Sequence, residues 1–171
     1  MANLIKSAWN ISKELSKMIV KSDENMKKKF KWHKRFFDMA NLVASWSKDP
    51  SSKIGAVIVD SQNRVIATGY NGFPVGVVDS SERLENREIK YKMVLHAEEN
   101  AIMFAKQNLE GCSLYVTMMP PCSHCAALIV QSGIKHVYAP DSEIPERWKS
   151  STELTRQMFD EAGVTLEFIK L

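Results

Sequence analysis

The spacing of apolar residues predicts two helices in the first third of the chain. A stripe at three- and four-residue intervals marks the first helix, at Leu4, Ala8, Ile11, Leu15 and Met18. The charged stretch KSDENMKKKFKWHKR follows and is interpreted as a linker or helix start. A second helical pattern runs from Trp32 to Trp46 and is expected to stop before Asp49-Pro50. We therefore expect an N-terminal helix and linker over residues 1–28 and a main domain over residues 29–171.

The main domain alternates between short apolar runs and helical patterns. Two apolar runs, IGAVIVD (54–60) and RVIATGY (64–70), are joined by a three-residue polar turn, which predicts an antiparallel hairpin. From residue 96 onward, helical and strand patterns alternate through short links, which predicts parallel strands with crossover helices. We expect an α/β domain whose five-stranded mixed sheet is antiparallel at the hairpin and otherwise mostly parallel. The polar segment 77–93 gives no clear prediction.

Composition narrows the class of protein only slightly. A chain of 171 residues suits one domain with a short appendage, and the formal net charge is only +3. A dedicated nucleic-acid binder usually has a stronger basic bias, so nucleic acid is not the expected partner. The N-terminus has no continuous apolar core typical of a secretory signal, and no stretch is apolar enough to span a bilayer. We expect a cytoplasmic protein that does not enter a membrane.

Two short motifs carry the metal chemistry, and each lies at the start of a predicted helix. His96 opens the first motif, and Cys122 and Cys125 lie in the second. The two cysteines are three residues apart and therefore share a helical face, where the positive end of the helix dipole favours thiolates. Two thiolates and one neutral imidazole suit Zn²⁺ and leave its fourth position open for water.

Glu98 is the candidate proton carrier. It lies two residues after His96, so we expect its carboxylate to reach past the metal instead of binding it. A carboxylate beside an activated water can take a proton and return it to a substrate. His-x-Glu followed by Pro-Cys-x-x-Cys is the signature of zinc deaminases that act on nucleobases.

Two non-hydrolytic interpretations compete with this one. A structural zinc site, as in a nucleic-acid-binding module, would need a fourth protein ligand, and Cys112 is the remaining cysteine. A strand of about 3.3 Å per residue separates Cys112 from Cys122, which favours a buried apolar role for Cys112. A redox-active Cys-x-x-Cys would leave His96 and Glu98 without a function.

Residues from about Phe36 to Gly163 resemble the cytidine and deoxycytidylate deaminase superfamily. The motifs that carry the resemblance are KDPSSKIGAVIVD, TGYNGFPVG, HAEENAI, LYVTMMPPCSHCA and IVQSGIKHVYAP. The long insert before HAE is similar to that of the deoxycytidylate deaminases. This resemblance implies a three-layer α/β/α fold and the zinc-dependent conversion of dCMP to dUMP and ammonia. The alternative substrates are dCTP, a modified dCMP, or a base in single-stranded nucleic acid.

The resemblance also assigns roles to individual residues. It makes His96, Cys122 and Cys125 the ligands of one zinc ion per subunit and Glu98 the catalytic proton carrier. It assigns the remaining contacts to the sugar (Asn71), the 5′-phosphate (Lys53 with Ser51 and Ser52) and the rest of the substrate (Ala97 and Tyr138).

Regulation and assembly are likewise implied by the resemblance. Many relatives are homo-oligomers, often hexamers, that dCTP activates and dTTP inhibits. By this resemblance, the loop residues that contact the regulatory nucleotide are Asn71, Gly72 and Gly76. The insert from Val77 to Leu95 contains no cysteine or histidine, so we expect no second zinc.

Overall fold

The described part of the chain divides into two compact units. The computed structural model describes the backbone from Ala2 to Leu171, and the side chains from Val20 onward except those of Asp23 and Asn25. The units comprise residues 1–35 and residues 36–171. The apolar stripe predicted between Leu4 and Met18 lies outside the described side chains.

One helix, α1 (Ala2–Ala44), replaces the two helices and linker expected from the sequence. The prediction of a linker was wrong because nothing in this stretch stops a helix: residues 2–44 contain no glycine or proline, and lysine and glutamate are good helix formers. The charged stretch lacks an apolar stripe but keeps its helical backbone. Among the helices with described residues, none combines the length and the hydropathy needed to cross a membrane.

Five strands form one mixed sheet with the order β2-β1-β3-β4-β5. The strands are β1 (Gly55–Val59), β2 (Val65–Tyr70), β3 (Ser113–Val116), β4 (His136–Pro140) and β5 (Thr165–Ile169). β1 pairs antiparallel with both β2 and β3, whereas β3–β4 and β4–β5 are parallel pairs. The predicted hairpin and mixed sheet are confirmed.

Five further helices connect the strands. Two short ones, α2 (Ser81–Glu85) and α3 (Arg87–Met93), occupy the polar segment that gave no clear prediction. Asn86 ends the first and caps the second, where its side chain accepts hydrogen bonds from the backbone N–H groups of Glu88 and Ile89. The others are α4 (Ala97–Ala105), α5 (Ser123–Gln131) and α6 (Glu146–Ala162).

Helices cover both faces of the sheet, which confirms the three-layer architecture. On one face, Gly55 of β1 lies so close to α1 that a Cβ would collide with the backbone of Ala40. Gly69 of β2 lies equally close to the backbone of α4, at Ala97. In the antiparallel β1–β2 pair Gly55 is opposite Tyr70 and Gly69 is opposite Ala56, so the two glycines face opposite sides.

The core has two parts, one on each side of the sheet. The α4–α5–α6 side is filled by aliphatic residues of β1, β3 and β4 together with Ala101, Ile129 and Phe159. On the other side, the rings of Phe36 and Phe37 pack against Tyr115 at centroid distances of 5.0 and 5.4 Å. The N-termini of α4 and α5 are thereby fixed to the sheet, and both metal motifs begin there.

Candidate active site

Three candidate metal ligands converge at the N-termini of two helices. His96 is the N-cap residue of α4, Cys122 is the N-cap residue of α5, and Cys125 lies in the first turn of α5. One donor atom of each residue lies within 4.8 Å of the other two. Cys112 is a buried free cysteine of the core and does not belong to this cluster.

The distances between the donors fit a tetrahedral zinc ion. Nδ1 of His96 lies 3.2 Å from Sγ of Cys125 and 3.5 Å from Sγ of Cys122. Tetrahedral bonds of about 2.3 Å to sulfur and about 2.0 Å to nitrogen place neighbouring donors roughly 3.5 to 3.8 Å apart. Small adjustments of the side chains would therefore accommodate the metal, with Nδ1 as the histidine donor.

Without a metal, the electrostatics of the cluster favour the ligand form of one cysteine only, Cys122. A hydrogen bond from the side chain of Cys125 lowers the pKa of Cys122 to about 4. That same hydrogen bond, together with burial, raises the pKa of Cys125. A hydrogen bond with Cys122 raises the pKa of His96 to about 9. The three residues thus stabilise one thiolate by themselves, and a bound divalent cation would deprotonate the second thiol as well.

A cavity of about 560 Å³ opens beside the cluster and contains Glu98 in its wall. His96 and Cys122 also line this cavity, whereas Cys125 is fully buried beside them. Only 5% of Glu98 is exposed, and this burial raises the pKa of its carboxyl from 4.5 to about 7. A carboxyl group with such a pKa can both accept and release a proton near neutral pH.

A buried ion pair lies in the wall of the same cavity. Nζ of Lys90 lies 3.0 Å from Oδ1 of Asp49, and it donates a hydrogen bond of 3.2 Å to Oγ of Ser51. Asp49 also accepts hydrogen bonds from the backbone N–H groups of Ser51 and Ser52. The positive charge of Lys90 is therefore already compensated by the protein.

The family model for the cytidine and deoxycytidylate deaminase zinc-binding region matches residues 30–140, which include all of these candidate ligands. The chain belongs to this family. A deaminase of Aliivibrio fischeri, named for the luxG 3′ region, is 51% identical over 82% of this chain and 95% of its own length. The deoxycytidylate deaminase of Homo sapiens is 42% identical over 78% of this chain and 77% of its own length. Family membership makes the protein a hydrolytic deaminase.

Solved structures agree with this assignment. The dCMP deaminase of cyanophage S-TIM5, crystallised in complex with dCMP and dUMP, superposes with a TM-score of 0.62. That protein is 26% identical to this chain, and the superposition covers 80% of this chain and 95% of the phage enzyme.

A second carboxylate, Glu99, holds the first metal motif of this deaminase in place. Its Oε2 accepts a hydrogen bond of 2.5 Å from the backbone N–H of His96, and its Oε1 lies 3.0 Å from Nε2 of His124. Glu99 is buried, and it therefore links the start of α4 to the first turn of α5. The sequence signal for this role was a glutamate three residues after the N-cap, as in a capping box.

Helix α6 fixes the turn that carries Cys122. Oγ1 of Thr155 donates a hydrogen bond of 3.0 Å to the carbonyl oxygen of Pro121, and Oγ of Ser151 accepts one of 2.9 Å from the backbone N–H of Ser123. These two bonds lie on either side of the cysteine. They position Cys122, although neither Thr155 nor Ser151 belongs to the cluster of candidate ligands.

The amide of Asn71 stabilises another part of the cavity wall. Its Oδ1 accepts a hydrogen bond of 2.8 Å from the N–H of Ile54, and its Nδ2 donates one of 2.9 Å to the carbonyl oxygen of Ser52. Asn71 is buried, and it lines the cavity together with Ser51 and Ser52. Its side chain thus shapes the loop before β1.

The structure brings together most, though not all, of the residues selected from the sequence. Seven of them line the cavity: Ser51, Ser52, Asn71, His96, Ala97, Glu98 and Cys122. Lys53 does not line it; its side chain is exposed, and its Nζ lies 3.5 Å from the carbonyl oxygen of Ser45. Tyr138 is buried in the sheet, where its ring stacks on Tyr115 at 4.7 Å.

The two glycines selected as regulatory contacts lie outside the cavity lining. Gly72 forms two backbone hydrogen bonds with Leu95, the residue before His96, and this isolated bridge connects the loop to the metal motif. Gly76 has φ of +85°, a left-handed conformation that favours glycine.

The sequence did not indicate several residues of the cavity wall, among them three cationic residues and one tryptophan. Arg87 and Lys90 come from α3, and Arg147 and Trp148 come from the first turn of α6. The available signals were a cluster of basic residues in the insert and an Arg-Trp pair at a helix start, and neither signal reveals a cavity by itself.

Proposed function

We propose that this protein hydrolyses dCMP to dUMP and ammonia, with one zinc ion per subunit held by His96, Cys122 and Cys125. Several relatives that resemble it over most of its length are named deoxycytidylate deaminases, and the similar phage enzyme is described in complex with dCMP and dUMP. The donor set and its distances fit zinc.

The charge of the cavity is the observation that favours a nucleoside monophosphate as the substrate. Arg87 and Arg147 line it, and within the described part of the chain neither guanidinium has a carboxylate partner. Lys90 is neutralised by Asp49. The two remaining positive charges match the charge of about −1.5 to −2 on a phosphate monoester near pH 7. A nucleoside would leave them unbalanced, and a triphosphate would exceed them.

The chemistry of the chain itself centres on Glu98. Zinc supplies Lewis acidity, which activates water for hydrolysis when the metal is bound. Glu98 accepts a proton from the attacking water and passes it to N3 of the cytosine ring. It then takes the second proton from the hydroxyl group now on C4 and delivers it to the amino group, the C4–N bond breaks, and ammonia leaves. The water oxygen remains on C4 as the carbonyl of dUMP, so Glu98 ends the cycle in its starting state.

Ammonia release from a panel of substrates tests this function. The zinc-loaded protein should act on dCMP with a kcat/KM at least about 100-fold above that for deoxycytidine, dCTP or a short single-stranded oligonucleotide, a margin of about 3 kcal/mol. Arg147→Gln and Arg87→Gln should raise KM for dCMP, while Lys53→Ala should leave it unchanged. Equal kcat/KM for dCMP and deoxycytidine would remove the monophosphate from the proposal.

The proposal also includes the metabolic role, the regulation and the assembly of the protein. The dUMP would supply thymidylate synthesis in the cytoplasm, with dCTP and dTTP as effectors of a homo-oligomer, expected to be a hexamer. We retain residues 29–171 as the deaminase domain and residues 1–28 as an N-terminal extension. Light scattering of the full chain, and activity assays with and without dCTP and dTTP, test assembly and regulation separately.

A further inference from the structure

The indole N–H of Trp148 has no hydrogen-bond partner inside the protein. Among the described side chains, Nε1 of Trp148 is the one buried nitrogen or oxygen atom in this condition. An unsatisfied buried donor costs roughly 1 to 3 kcal/mol, so its presence needs a reason. Trp148 lines the same cavity as Glu98 and Cys122, where a bound molecule could supply an acceptor.

The backbone around Trp148 holds this residue in a defined place. Its N–H donates a hydrogen bond of 2.8 Å to the carbonyl oxygen of Pro145, and its carbonyl oxygen accepts one of 3.0 Å from Oγ1 of Thr152. One turn further along α6, Ser151 binds the backbone N–H next to Cys122. The helix that positions the metal ligand therefore also fixes the indole in the cavity wall.

The surroundings of the indole favour a negatively charged acceptor. Arg147 is its neighbour in the first turn of α6, and Arg87 lines the same cavity. α6 has 17 residues, and the positive end of its dipole lies at this first turn. These three sources of positive potential attract an anion, and the anionic group of the proposed substrate is its phosphate.

We propose that the indole N–H of Trp148 donates a hydrogen bond to a phosphate oxygen of the bound nucleotide, which makes Trp148 a specificity residue for nucleoside monophosphates. This assignment rests on the proposed function. It adds α6 to the substrate site and gives the unsatisfied donor its partner.

Nuclear magnetic resonance of the indole groups tests the contact directly. The chain has four tryptophans, so protein labelled with ¹⁵N-tryptophan gives four indole N–H resonances. The resonance of Trp148 is identified by its loss in Trp148→Phe. Saturating dUMP should move the Trp148 proton downfield and slow its exchange with solvent, whereas deoxyuridine should not. Equal shifts with dUMP and deoxyuridine would place the acceptor on the base or sugar and overturn the assignment.

Kinetics provide a second readout. Trp148→Phe should raise KM for dCMP by about 10-fold or more, as expected for the loss of a hydrogen bond to a charged group. KM for deoxycytidine should change much less. Trp46→Phe is the matched control, because Trp46 is exposed and does not line the cavity. Replacing Trp148 with benzothienylalanine, which keeps the two-ring shape and lacks the N–H, should reproduce the defect.

The outcomes separate the two proposals. If wild-type protein releases ammonia from dCMP and the Trp148 resonance does not respond to dUMP, the assignment of Trp148 is overturned and the proposed function stands. If the benzothienylalanine protein keeps a normal KM, the assignment is also overturned. If the zinc-loaded wild-type protein releases no ammonia from dCMP, the proposed function fails, and the assignment fails with it.

Discussion

Lys90 and Asp49 form an ion pair inside the wall of the catalytic cavity, with Nζ and Oδ1 3.0 Å apart and side chains only 4% and 7% exposed. Removing two charges from water is costly, and the pair persists because its attraction and its hydrogen bonds to Ser51 and Ser52 offset that cost. The pair consequently fixes the loop before β1. Among the described residues, Arg87 and Arg147 are then the basic side chains of the cavity wall that have no carboxylate partner.

Breaking this pair from one side should destabilise the protein strongly. Lys90→Met leaves a buried carboxylate without its partner, and we expect the free energy of unfolding to fall by about 3 to 5 kcal/mol. The double variant Lys90→Met/Asp49→Asn should recover much of that loss, because no buried charge remains. Urea unfolding of the single and double variants measures both effects. A loss below about 1 kcal/mol in Lys90→Met would contradict the importance of the pair.

Thr155 should affect zinc binding although it does not touch the metal. Thr155→Val removes the hydrogen bond to the carbonyl of Pro121, so the turn that carries Cys122 is less well fixed. Loss of a group that orients a ligand typically weakens metal affinity by about 10- to 100-fold. Thr152→Val makes the same chemical change at a buried threonine whose hydroxyl bonds only within α6, and it is the control. Competition with a chromogenic chelator should show weaker zinc binding in Thr155→Val than in Thr152→Val. Equal zinc affinities of the two variants would refute the role of Thr155 in positioning Cys122.

The close packing of β2 against α4 should be sensitive to a single methyl group. A Cβ at position 69 would collide with the backbone of Ala97 and Ala101, which cannot move without shifting the helix that carries Glu98. We expect Gly69→Ala to lower stability by about 1 to 3 kcal/mol or more and to reduce turnover. Gly72→Ala is the matched control, because the nearest atom to its Cβ is a side-chain carbon of Tyr70 at 3.8 Å. If thermal unfolding showed that Gly69→Ala is as stable as the wild type, this description of the packing would be contradicted.

Burial of Glu98 should make its own contribution to the stability of the metal-free protein fall as the pH rises. The folded protein holds the pKa of Glu98 at about 7, whereas the ordinary value of 4.5 applies after unfolding. Between these values Glu98 keeps a proton in the folded state that it has lost in the unfolded state, so its contribution to stability decreases from about pH 4.5 to about pH 7, by roughly 3 kcal/mol in total.

Glu98→Gln isolates this contribution because the amide does not titrate. The variant should match the wild type near pH 4.5 and exceed it at pH 8 by an amount on the order of 3 kcal/mol. Chemical denaturation of both metal-free proteins at several pH values measures the difference. Parallel stability curves would mean that Glu98 does not titrate with a raised pKa.

The site residues that could be predicted from the sequence are those that belong to short, contiguous motifs. His96, Glu98, Cys122 and Cys125 lie in two short motifs at helix starts, and together the two motifs match the zinc deaminase signature. The hairpin could also be predicted, because alternating apolar residues and a polar turn determine it without any distant contact.

The cationic residues of the cavity wall, Arg87, Lys90 and Arg147, could not be predicted because their position depends on tertiary contacts. Lys90 and Asp49 are 41 positions apart, and nothing in the polar segment 77–93 shows which lysine is buried. Arg147 and Trp148 reach the cavity only because α6 packs beside the Cys122 turn through Ser151 and Thr155. Lys53 was the plausible phosphate contact by position along the chain, yet its side chain is exposed and lies outside the cavity lining.

Formation of dUMP from dCMP by zinc-loaded wild-type protein and by Glu98→Gln, compared at equal zinc content, tests the central claim most directly. We expect the wild type to turn over dCMP and the variant to bind zinc normally while its kcat falls by at least about 100-fold, as for loss of a general acid–base. Normal zinc content with a kcat within a few-fold of wild type in Glu98→Gln would contradict the account.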